Sequence, residues 1–189
     1  PNLFVVTGSS VVQLGLQGWK VDRAITDDGI EYRADRFVVC AGAIGTPALL
    51  LRSNLDTPGI GEGIQDHPAC TIALDLEPGT DVSAPMVSVL IDRNGSQILP
   101  LNHLHHAPGH GALIAGLLDV SSQGRVSLPH REGLPLVELD QLSTAADVAG
   151  LTDVVLDALR IAHLEVLEPV IRRAYLDSDG TPASSLGDD

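Results

Sequence analysis

The chain has 189 residues, of which 44% are hydrophobic, and 25 acidic against 11 basic residues give a formal net charge of −14. This length and apolar content suffice for one large or two small folded domains and exclude a disordered chain. The negative charge opposes binding to nucleic acid or to an anionic membrane surface. No apolar run approaches the roughly 20 residues that span a bilayer, so we expect no membrane span.

The two cysteines, Cys40 and Cys70, lie in apolar stretches without C-x-x-C spacing. This pattern is typical of buried, reduced thiols and not of a disulfide or a metal site. The first residues also lack the charged and apolar regions of a signal peptide. We therefore expect a soluble protein in the cytoplasm.

The first part of the chain predicts a small antiparallel layer. Residues 3–6 and 10–16 are rich in β-forming side chains, and residues 20–26 run toward an Asp-Gly turn at residues 27–29. Such a turn between apolar segments is a strong hairpin signal, so residues 30–33 form the expected return strand.

Residues 37–41 form a continuous apolar run, Phe-Val-Val-Cys-Ala. Such a run predicts a parallel strand that is buried on both faces. Gly42 has no Cβ atom and Ala43 has only a methyl group, so a bulky ligand could approach the backbone after the strand. Thr46 suits an N-cap and Pro47 suits the first helical turn, which predicts a helix beginning there.

This strand, turn and helix have two interpretations. The free amides and the positive dipole end of the helix would face the space above the strand and favour a phosphate group. The alternative is a packing unit without a ligand, which is common in α/β folds. The pattern alone allows both.

A loop rich in glycine and proline, at residues 55–63, precedes three polar side chains, Gln65, Asp66 and His67. We expect the loop to cross between two domains. The three polar residues either face a ligand or have a local role, in which Asp66 binds backbone amides and His67 orders the turn.

The middle of the chain predicts an antiparallel sheet. Asn94-Gly95, between apolar segments, is the strongest short hairpin signal in the sequence. The predicted strands are residues 70–76, 87–92, 97–101, 112–120 and 125–128.

A histidine-rich stretch lies in the same region. On a strand, His103 and His105 would point to one face, which suits paired metal ligation, with His106 or His110 as a third ligand. No cysteine or closely spaced carboxylate completes a ligand set, and imidazoles also serve as hydrogen-bond groups. We therefore predict no metal site.

From Thr144 the apolar period changes to that of a helix, which we predict over about residues 144–168. Thr144 with Asp147 resembles a capping arrangement, and Pro169 disfavours continuation of the helix. The expected buried face consists of Val148, Leu151, Val155, Leu159, Ala162 and Val166. A second short helix is predicted over residues 169–176, followed by a polar tail from residue 177.

Several segments resemble motifs of the glucose-methanol-choline (GMC) oxidoreductases. Residues 40–53, C-A-G-A-I-G-T-P-A-L-L-L-R-S, resemble the second signature of that family. Residues 61–68 resemble its G-x-N-L-Q-D-H-P element, with Gly and Ile where Asn and Leu are usual. Residues 122–128 resemble its S-x-G-x-V-x-L strand, and residues 1–14 are similar to its strand pair beside the adenine. The resemblance therefore covers nearly the whole chain.

The resemblance implies an α/β plus α+β fold. Part of an FAD-binding, Rossmann-like domain over residues 1–66 would precede an antiparallel-sheet substrate domain with packing helices over residues 67–189. It also implies FAD as the cofactor and hydride transfer from an alcohol CH–OH to the flavin. The implied cofactor contacts are Val11, Ala41, Gly42, Ala43 and Thr46, with Gln65, Asp66 and His67 as a second set.

Two hallmarks of the resemblance are absent from this sequence, the G-x-G-x-x-G fingerprint and the later catalytic histidine. We therefore expect a fragment of a longer flavoprotein that is inactive alone, and we assign no catalytic residue to it. Its implied partners are a small-molecule alcohol, an electron acceptor that the resemblance does not specify, and the remaining segments of a split parent enzyme. The short loop at residues 55–63 resembles a mycofactocin-associated subfamily. The alternative function is a non-catalytic α/β binding or interaction module, a remnant that no longer holds FAD.

Overall fold

The computed structural model describes residues 2–55, 57–81, 83–105, 107–176 and 180–182. Its strands are β1 (Val11–Gln17), β2 (Lys20–Thr26), β3 (Glu31–Arg33), β4 (Glu62–Ile64), β5 (Ala69–Leu76), β6 (Ile91–Arg93), β7 (Ser96–Leu101), β8 (His110–Leu117), β9 (Gly124–Ser127), β10 (Leu136–Glu138) and β11 (Ile171–Tyr175). The helices are α1 (Gly42–Arg52), α2 (Ala145–Ala162) and a 3-10 helix at Glu165–Leu167.

The chain divides into two compact units. The first contains residues 1–65 and 123–140, and the second contains residues 66–122 and 141–189. The sequence-based boundary at residue 66 placed residues 123–140 in the second part, whereas these residues group with the first unit. The first unit is therefore discontinuous in sequence.

Two small antiparallel sheets and α1 build the first unit. One sheet has the strand order β1-β2-β3, and the other has the order β10-β9-β4. The predicted turn after β2 is confirmed: the Thr26 amide donates a hydrogen bond of 3.0 Å to the Ile30 carbonyl, and Gly29 has a φ of +82°. Glycine accepts this left-handed conformation without steric cost.

Ser53 joins α1 to β1 in the first unit. Its hydroxyl donates a hydrogen bond of 2.6 Å to the Leu49 carbonyl and accepts one of 2.8 Å from the Leu14 amide. The serine is 2% exposed, and both Leu14 and Leu49 are buried. Since a buried amide without an acceptor is costly, this hydroxyl fixes where β1 meets the end of the helix.

The predicted strands at residues 3–6 and 37–41 are wrong. Both segments are irregular, and Val38 has an exposed fraction of 86% instead of lying in a core. A strand exists only where a neighbouring backbone pairs with its amides and carbonyls. Within the described residues, no strand pairs with either segment.

The start of α1 also differs from the prediction. The helix begins at Gly42, with Ala41 as its N-cap, and the Thr46 hydroxyl accepts a hydrogen bond of 3.2 Å from the Ala41 amide. Pro47 therefore lies inside the helix and not in its first turn. Gly42, with a φ of +77°, turns the chain into the helix, which begins five residues earlier than a threonine cap would give.

A five-stranded antiparallel sheet, in the order β11-β5-β8-β7-β6, forms the second unit together with α2. One face of the sheet packs against the helix, and the predicted sheet-plus-helix architecture is confirmed. The buried core consists of Ile72, Leu74, Leu76, Ile98, Leu113, Ala115, Leu117, Leu151, Val154, Ala158, Leu159 and Ala162. Between β6 and β7, Asn94 and Gly95 have φ angles of +35° and +86°, so the predicted hairpin is confirmed.

Three assignments for this region, two strands and one helix, need correction. β9 was predicted to extend the middle sheet, but it pairs with β4 and β10 in the first unit. The strand predicted at residues 87–92 is shortened to β6, and Val87 makes only an isolated bridge to Leu101. Residues 169–176 do not form a helix, because β11 pairs with the edge of β5 and turns Ile171 and Ala174 toward the core.

Helix α2 confirms its predicted cap but not its whole predicted length or face. The Thr144 hydroxyl accepts a hydrogen bond of 3.2 Å from the Asp147 amide, and the helix ends at Ala162. Asp147, which lies outside the predicted apolar face, is only 2% exposed, whereas Val148 of that face is half exposed. The carboxylate is buried because it accepts hydrogen bonds from the Ser121 hydroxyl and the Ser122 amide. Most of the predicted polar tail from residue 177 lies outside the described residues.

Two further expectations concern solvent exposure. Cys40 and Cys70 are free thiols, but both are exposed, so the prediction that they are buried is wrong. Among the described residues, neither helix combines the length and the continuous apolar character that crossing a bilayer requires.

Candidate cofactor site

A cleft of about 500 Å³ opens in the first unit beside the start of α1. One wall comes from the helix and the other from the segment that leads into and through β4. The lining residues are Gly42, Ala43, Thr46, Pro47, Leu50, Ile60, Gly61, Glu62, Gly63, Ile64, Gln65 and Val126. Most of these side chains are small or apolar, which is typical of a pocket that accepts a bulky organic ligand.

Gly61 fixes the second wall of the cleft against β9. The Val126 amide donates a hydrogen bond of 2.7 Å to the Gly61 carbonyl. Gly61 has a φ of +82°, and a Cβ atom at this position would overlap the Val126 carbonyl oxygen. No other residue type fits this close approach without moving the backbone.

At Gly42 the first wall presents backbone to the cleft. The position that a Cβ atom of Gly42 would occupy has no atom within 4 Å, so a ligand can reach the main chain there. The first turn of α1 contains no acidic residue. Its amides and its positive dipole end therefore favour an anionic group. Glu62 is the one charged side chain in the cleft lining, and it opposes an anion placed directly beside it.

A smaller apolar cavity of about 200 Å³ lies beside the residues that lead into the helix. Two of the predicted cofactor contacts, Val11 and Ala41, line it. The remaining lining residues are Leu14, Ala24, Phe37, Val38, Val39, Cys40 and Leu49. The Ala41 amide, which binds the Thr46 hydroxyl, connects this cavity to the larger cleft.

The structure thus divides the predicted contacts into three groups. Gly42, Ala43, Thr46 and Gln65 line the larger cleft, and Val11 and Ala41 line the smaller cavity. Asp66 and His67 belong to the second unit and are exposed.

Asp66 and His67 have the local contact that their structural interpretation predicts. An Asp66 carboxylate oxygen accepts a hydrogen bond of 2.9 Å from the His67 amide. Asp66 therefore accepts a local bond from the backbone, as aspartates in loops often do.

Sequence reasoning missed several cleft residues. Gly61 and Gly63 were visible as a glycine-rich loop, but they were interpreted as a crossing between domains and not as a wall. Val126 could not be found, because it reaches the cleft only through the pairing of β9 with β4. Local patterns carry no information about that pairing.

The histidine-rich stretch does not form a metal centre in the part of the chain that the structure describes, where no three His, Cys, Asp or Glu side chains come together. The rings of His103 and His105 meet edge to face at 4.7 Å, and His103 Nδ1 lies 2.7 Å from the Asn102 side-chain oxygen. His110 lies instead 3.0 Å from Asp75. His106 is outside the described residues.

Asp75 is the centre of an ion-pair cluster in the second unit. Its carboxylate accepts hydrogen bonds from Tyr175, at 2.9 Å, and Arg172, at 3.2 Å. Burial raises the pKa of Asp75, but the bonds from Tyr175 and Arg172 outweigh burial and hold the pKa below its ordinary value. Every carboxylate oxygen has a partner, so this cluster stabilises the meeting of β5, β8 and β11.

Residues 15–69 match the model of a family described as GMC oxidoreductase. This segment includes α1, the Gly61 wall and most residues of the larger cleft. This similarity covers 55 of the chain's 189 residues. FAD is the cofactor of this family, and FAD-dependent oxidation is its chemistry.

Curated GMC-type relatives extend the similarity. An uncharacterised GMC-type oxidoreductase encoded in the thcA 5′ region of Rhodococcus erythropolis is 35% identical over 86 residues, which are 36% of this chain and 17% of that protein. An uncharacterised GMC-type oxidoreductase of Mycobacterium tuberculosis is 28% identical over 123 residues, which are 50% of this chain and 22% of that protein. The chain therefore spans about a fifth of the length of these GMC relatives.

Solved structures share the fold of nearly the whole chain. Pyridoxine 4-oxidase from Mesorbium loti has a TM-score of 0.79 at 22% identity and covers 98% of this chain, which corresponds to 44% of that protein. Formate oxidase from Aspergillus oryzae RIB40, a protein with FAD modification, has a TM-score of 0.74 at 14% identity and covers 93% of this chain, or 46% of that protein. At these identities the likeness shows the fold alone, which is mixed α/β with antiparallel sheets, as the sequence predicts.

Proposed function

We propose that this chain is part of an FAD-dependent oxidoreductase that oxidises an alcohol CH–OH group. The observation that carries the proposal is the cleft at the start of α1, which lies mostly in the segment similar to GMC oxidoreductases and exposes main chain at Gly42. FAD would supply the acceptor for hydride removed from the alcohol carbon. The residues of this chain would bind and orient it.

The cleft residues have distinct roles in this proposal. The amides of Gly42 and Ala43 would meet an anionic part of FAD, because the helix dipole favours negative charge there. Ala41 and Val11 would contact FAD through their backbone from the smaller cavity. Thr46 would hold the Ala41 amide in place, as its present hydrogen bond does.

Gln65, Asp66 and His67 form the second set of proposed FAD contacts. Gln65 lines the cleft, which supports its inclusion. Asp66 and His67 follow it directly in the sequence, and their exposed side chains are accessible to a ligand. No side chain of this chain is assigned as the catalytic base.

We also propose a division of labour along the sequence. Residues 1–66 would serve FAD binding, because both cavities with predicted contacts lie in the first unit. Residues 67–189 would contribute to binding of the small-molecule alcohol. Since the chain spans 44–46% of the solved proteins that share its fold, we propose that it is inactive alone and that further segments of a parent enzyme are its partners. The free thiols of Cys40 and Cys70 favour a reducing compartment such as the cytoplasm.

The second candidate function is a non-catalytic binding or interaction module that holds no FAD. The observation that favours it is the absence from this sequence of the G-x-G-x-x-G fingerprint that cradles a dinucleotide. Glu62 in the cleft lining points the same way, because it repels a phosphate. Both candidates predict that the purified 189-residue chain is colourless.

The reading frame around the gene for this chain tests the two functions. In-frame G-x-G-x-x-G before residue 1 and H-x-x-G-T after residue 189 are expected for the oxidoreductase, and stop codons are expected for the remnant. The protein expressed from the whole frame should then show a flavin spectrum that is bleached by an alcohol under anaerobic conditions. A bound flavin that no alcohol bleaches would reject the substrate class only, and a colourless whole protein would reject the function.

Two glycine variants of that whole-frame protein test the site. Gly42→Ala and Gly29→Ala place a methyl group at φ angles of +77° and +82°, and neither methyl would meet protein atoms within 4 Å. The backbone strain is therefore matched, but only the methyl of Gly42→Ala enters the cleft. We expect about tenfold weaker FAD binding for Gly42→Ala than for Gly29→Ala, the loss produced by about 1.4 kcal/mol. Equal FAD affinities would show that FAD does not approach Gly42.

A further inference from the structure

The chain crosses between its two units at two of the points that matter here, after Ser122 and after Asp140. It enters the first unit between Ser122 and Gln123 and returns to the second between Asp140 and Gln141. In the first unit, β9 and β10 pair antiparallel up to Arg125 and Glu138. Gly124 permits this approach, because a Cβ atom there would overlap the Glu138 carbonyl oxygen. The outgoing and returning segments are thus joined on the side of the first unit.

A second connection joins the same two segments on the side of the second unit. Its members, which we call the serine latch, are Ser121, Ser122, Ser143, Thr144 and Asp147. One Asp147 carboxylate oxygen accepts hydrogen bonds from the Ser121 amide, at 2.9 Å, and from the Ser121 hydroxyl, at 2.6 Å. The other accepts one of 2.7 Å from the Ser122 amide.

The serine hydroxyls complete the connection. The Ser122 hydroxyl accepts a hydrogen bond of 3.0 Å from the Ser143 amide. The Ser121 and Thr144 hydroxyl oxygens lie 2.8 Å apart, within hydrogen-bond distance. The two segments are therefore bonded to each other, and the outgoing segment is also bonded to the carboxylate. Bonds to an ionised carboxylate are stronger than neutral ones, so Asp147 is the dominant member of the latch.

The returning segment is held in an unfavourable backbone conformation. Asp140 and Leu142 have φ angles of +51° and +58°. Aspartate tolerates this left-handed region, but leucine rarely adopts it, and such a conformation persists only where surrounding contacts enforce it. The latch bonds at Ser143 and Thr144 begin directly after Leu142, so they are placed to enforce it.

We propose that the serine latch is a conformational device that holds residues 121–122 against residues 143–144 within the second unit and keeps Leu142 in its left-handed conformation. Its failure would free the backbone on both sides of the latch while the core of the second unit stays folded. The Ser-x-Gly pattern at residues 122–124 has a structural reason in this arrangement, since Ser122 binds the returning segment and Gly124 lets it approach.

Hydrogen exchange of backbone amides, measured by mass spectrometry on the 189-residue chain, tests the latch. Asp147→Asn removes the charge, and Asp153→Asn is the matched control, because Asp153 is an exposed aspartate of the same helix. In Asp147→Asn, we expect residues 119–124 and 139–144 to exchange at least about tenfold faster than in the wild type, since several bonds to a charged acceptor are weakened. The amides of β5 and β8 should keep their protection, and Asp153→Asn should match the wild type.

Two outcomes would overturn the proposal. Faster exchange confined to residues 145–149 would mean that Asp147 stabilises only the start of α2. Unchanged exchange throughout would mean that the latch bonds do not protect the backbone. If Asp147→Asn loosens the whole second unit, Ser122→Ala provides the deciding test, because it keeps the carboxylate and removes the hydroxyl that accepts the bond from the Ser143 amide. Faster exchange at residues 142–144 in Ser122→Ala supports the latch, and wild-type exchange there rejects it.

Discussion

A comparison with Gly59 separates the steric constraint at Gly61 from the strain of a left-handed backbone. Gly59 and Gly61 have φ angles of +95° and +82°, but only at Gly61 would a Cβ atom meet the β9 backbone. We expect Gly59→Ala to lower the free energy of unfolding by about 1–2 kcal/mol, the cost of a left-handed alanine. Gly61→Ala should cost about 1–3 kcal/mol more, because it also overpacks the site. Urea denaturation measures both, and equal losses would contradict the close approach at Val126.

Asp147 gives the stability a defined pH dependence. The hydroxyl of Ser121, followed by Ser122, holds the pKa of Asp147 far below its ordinary value of 3.8. A carboxyl group with a depressed pKa in the folded state stabilises the fold at every pH above its unfolded pKa, about 3.9, and loses that contribution as the pH falls toward the folded pKa. Asp147→Asn should therefore unfold at lower urea concentration than the wild type at pH 7, and the difference should narrow below about pH 4.

The same urea series on Asp153→Asn provides the control for that pH dependence. Asp153 is exposed, so its variant should track the wild type at each pH. A gap between wild type and Asp147→Asn that stays constant from about pH 7 to about pH 3 would contradict the depressed pKa.

Single residues were predictable where their role is local. Gly42, Ala43 and Thr46 lie within one contiguous motif, and all three line the cleft, but their contact with FAD stays a prediction. The role of Asp147 was missed in part. Its amide was correctly predicted to bind Thr144, but its carboxylate is buried by Ser121 and Ser122, which lie 25 or more residues earlier. Helical periodicity alone assigns such a residue to the solvent face.

At the scale of elements, Ser53 decides how α1 meets β1. Ser53→Ala leaves the buried Leu14 amide without its acceptor, and we expect a loss of about 1–3 kcal/mol in the free energy of unfolding. Ser88→Ala is the control, because the Ser88 hydroxyl binds the Pro85 carbonyl on an exposed surface, where water replaces it. Urea midpoints of the two variants measure the difference. A Ser53→Ala midpoint equal to that of Ser88→Ala would show that the serine does not join the two elements.

Elements were predictable in proportion to how local their determinants are. The Asn94-Gly95 hairpin and the Thr144 cap depend on adjacent residues, and both formed as expected. Residues 37–41 have the composition of a buried strand, but a strand requires a paired neighbour, and none of the described residues supplies one. The helix predicted over residues 169–176 is wrong for the opposite reason: the edge of β5 pairs with this segment, which therefore forms a strand.

At the scale of the whole molecule, the sequence predicted two parts and the antiparallel sheet of the second. It did not predict that residues 123–140 join the first unit, because that grouping depends on β9 pairing with β4 across nearly sixty intervening residues. The assignment of the two parts to FAD and to the alcohol, and the mycofactocin-associated subfamily, stay predictions. The FAD affinity of the Gly42→Ala variant of the whole-frame protein tests the assignment of the first part to FAD.

The discontinuity of the first unit sets the order in which a growing polypeptide can fold. β4 ends at Ile64, but its partner β9 begins only at Gly124. At about 5–20 residues per second, the ribosome adds this stretch in roughly 3–12 s. By the end of that interval most strands of the second unit's sheet have been synthesised. The cleft wall that contains β4 still lacks its partner strand β9. The nascent chain must therefore keep one side of its future ligand cleft open until synthesis has passed β9.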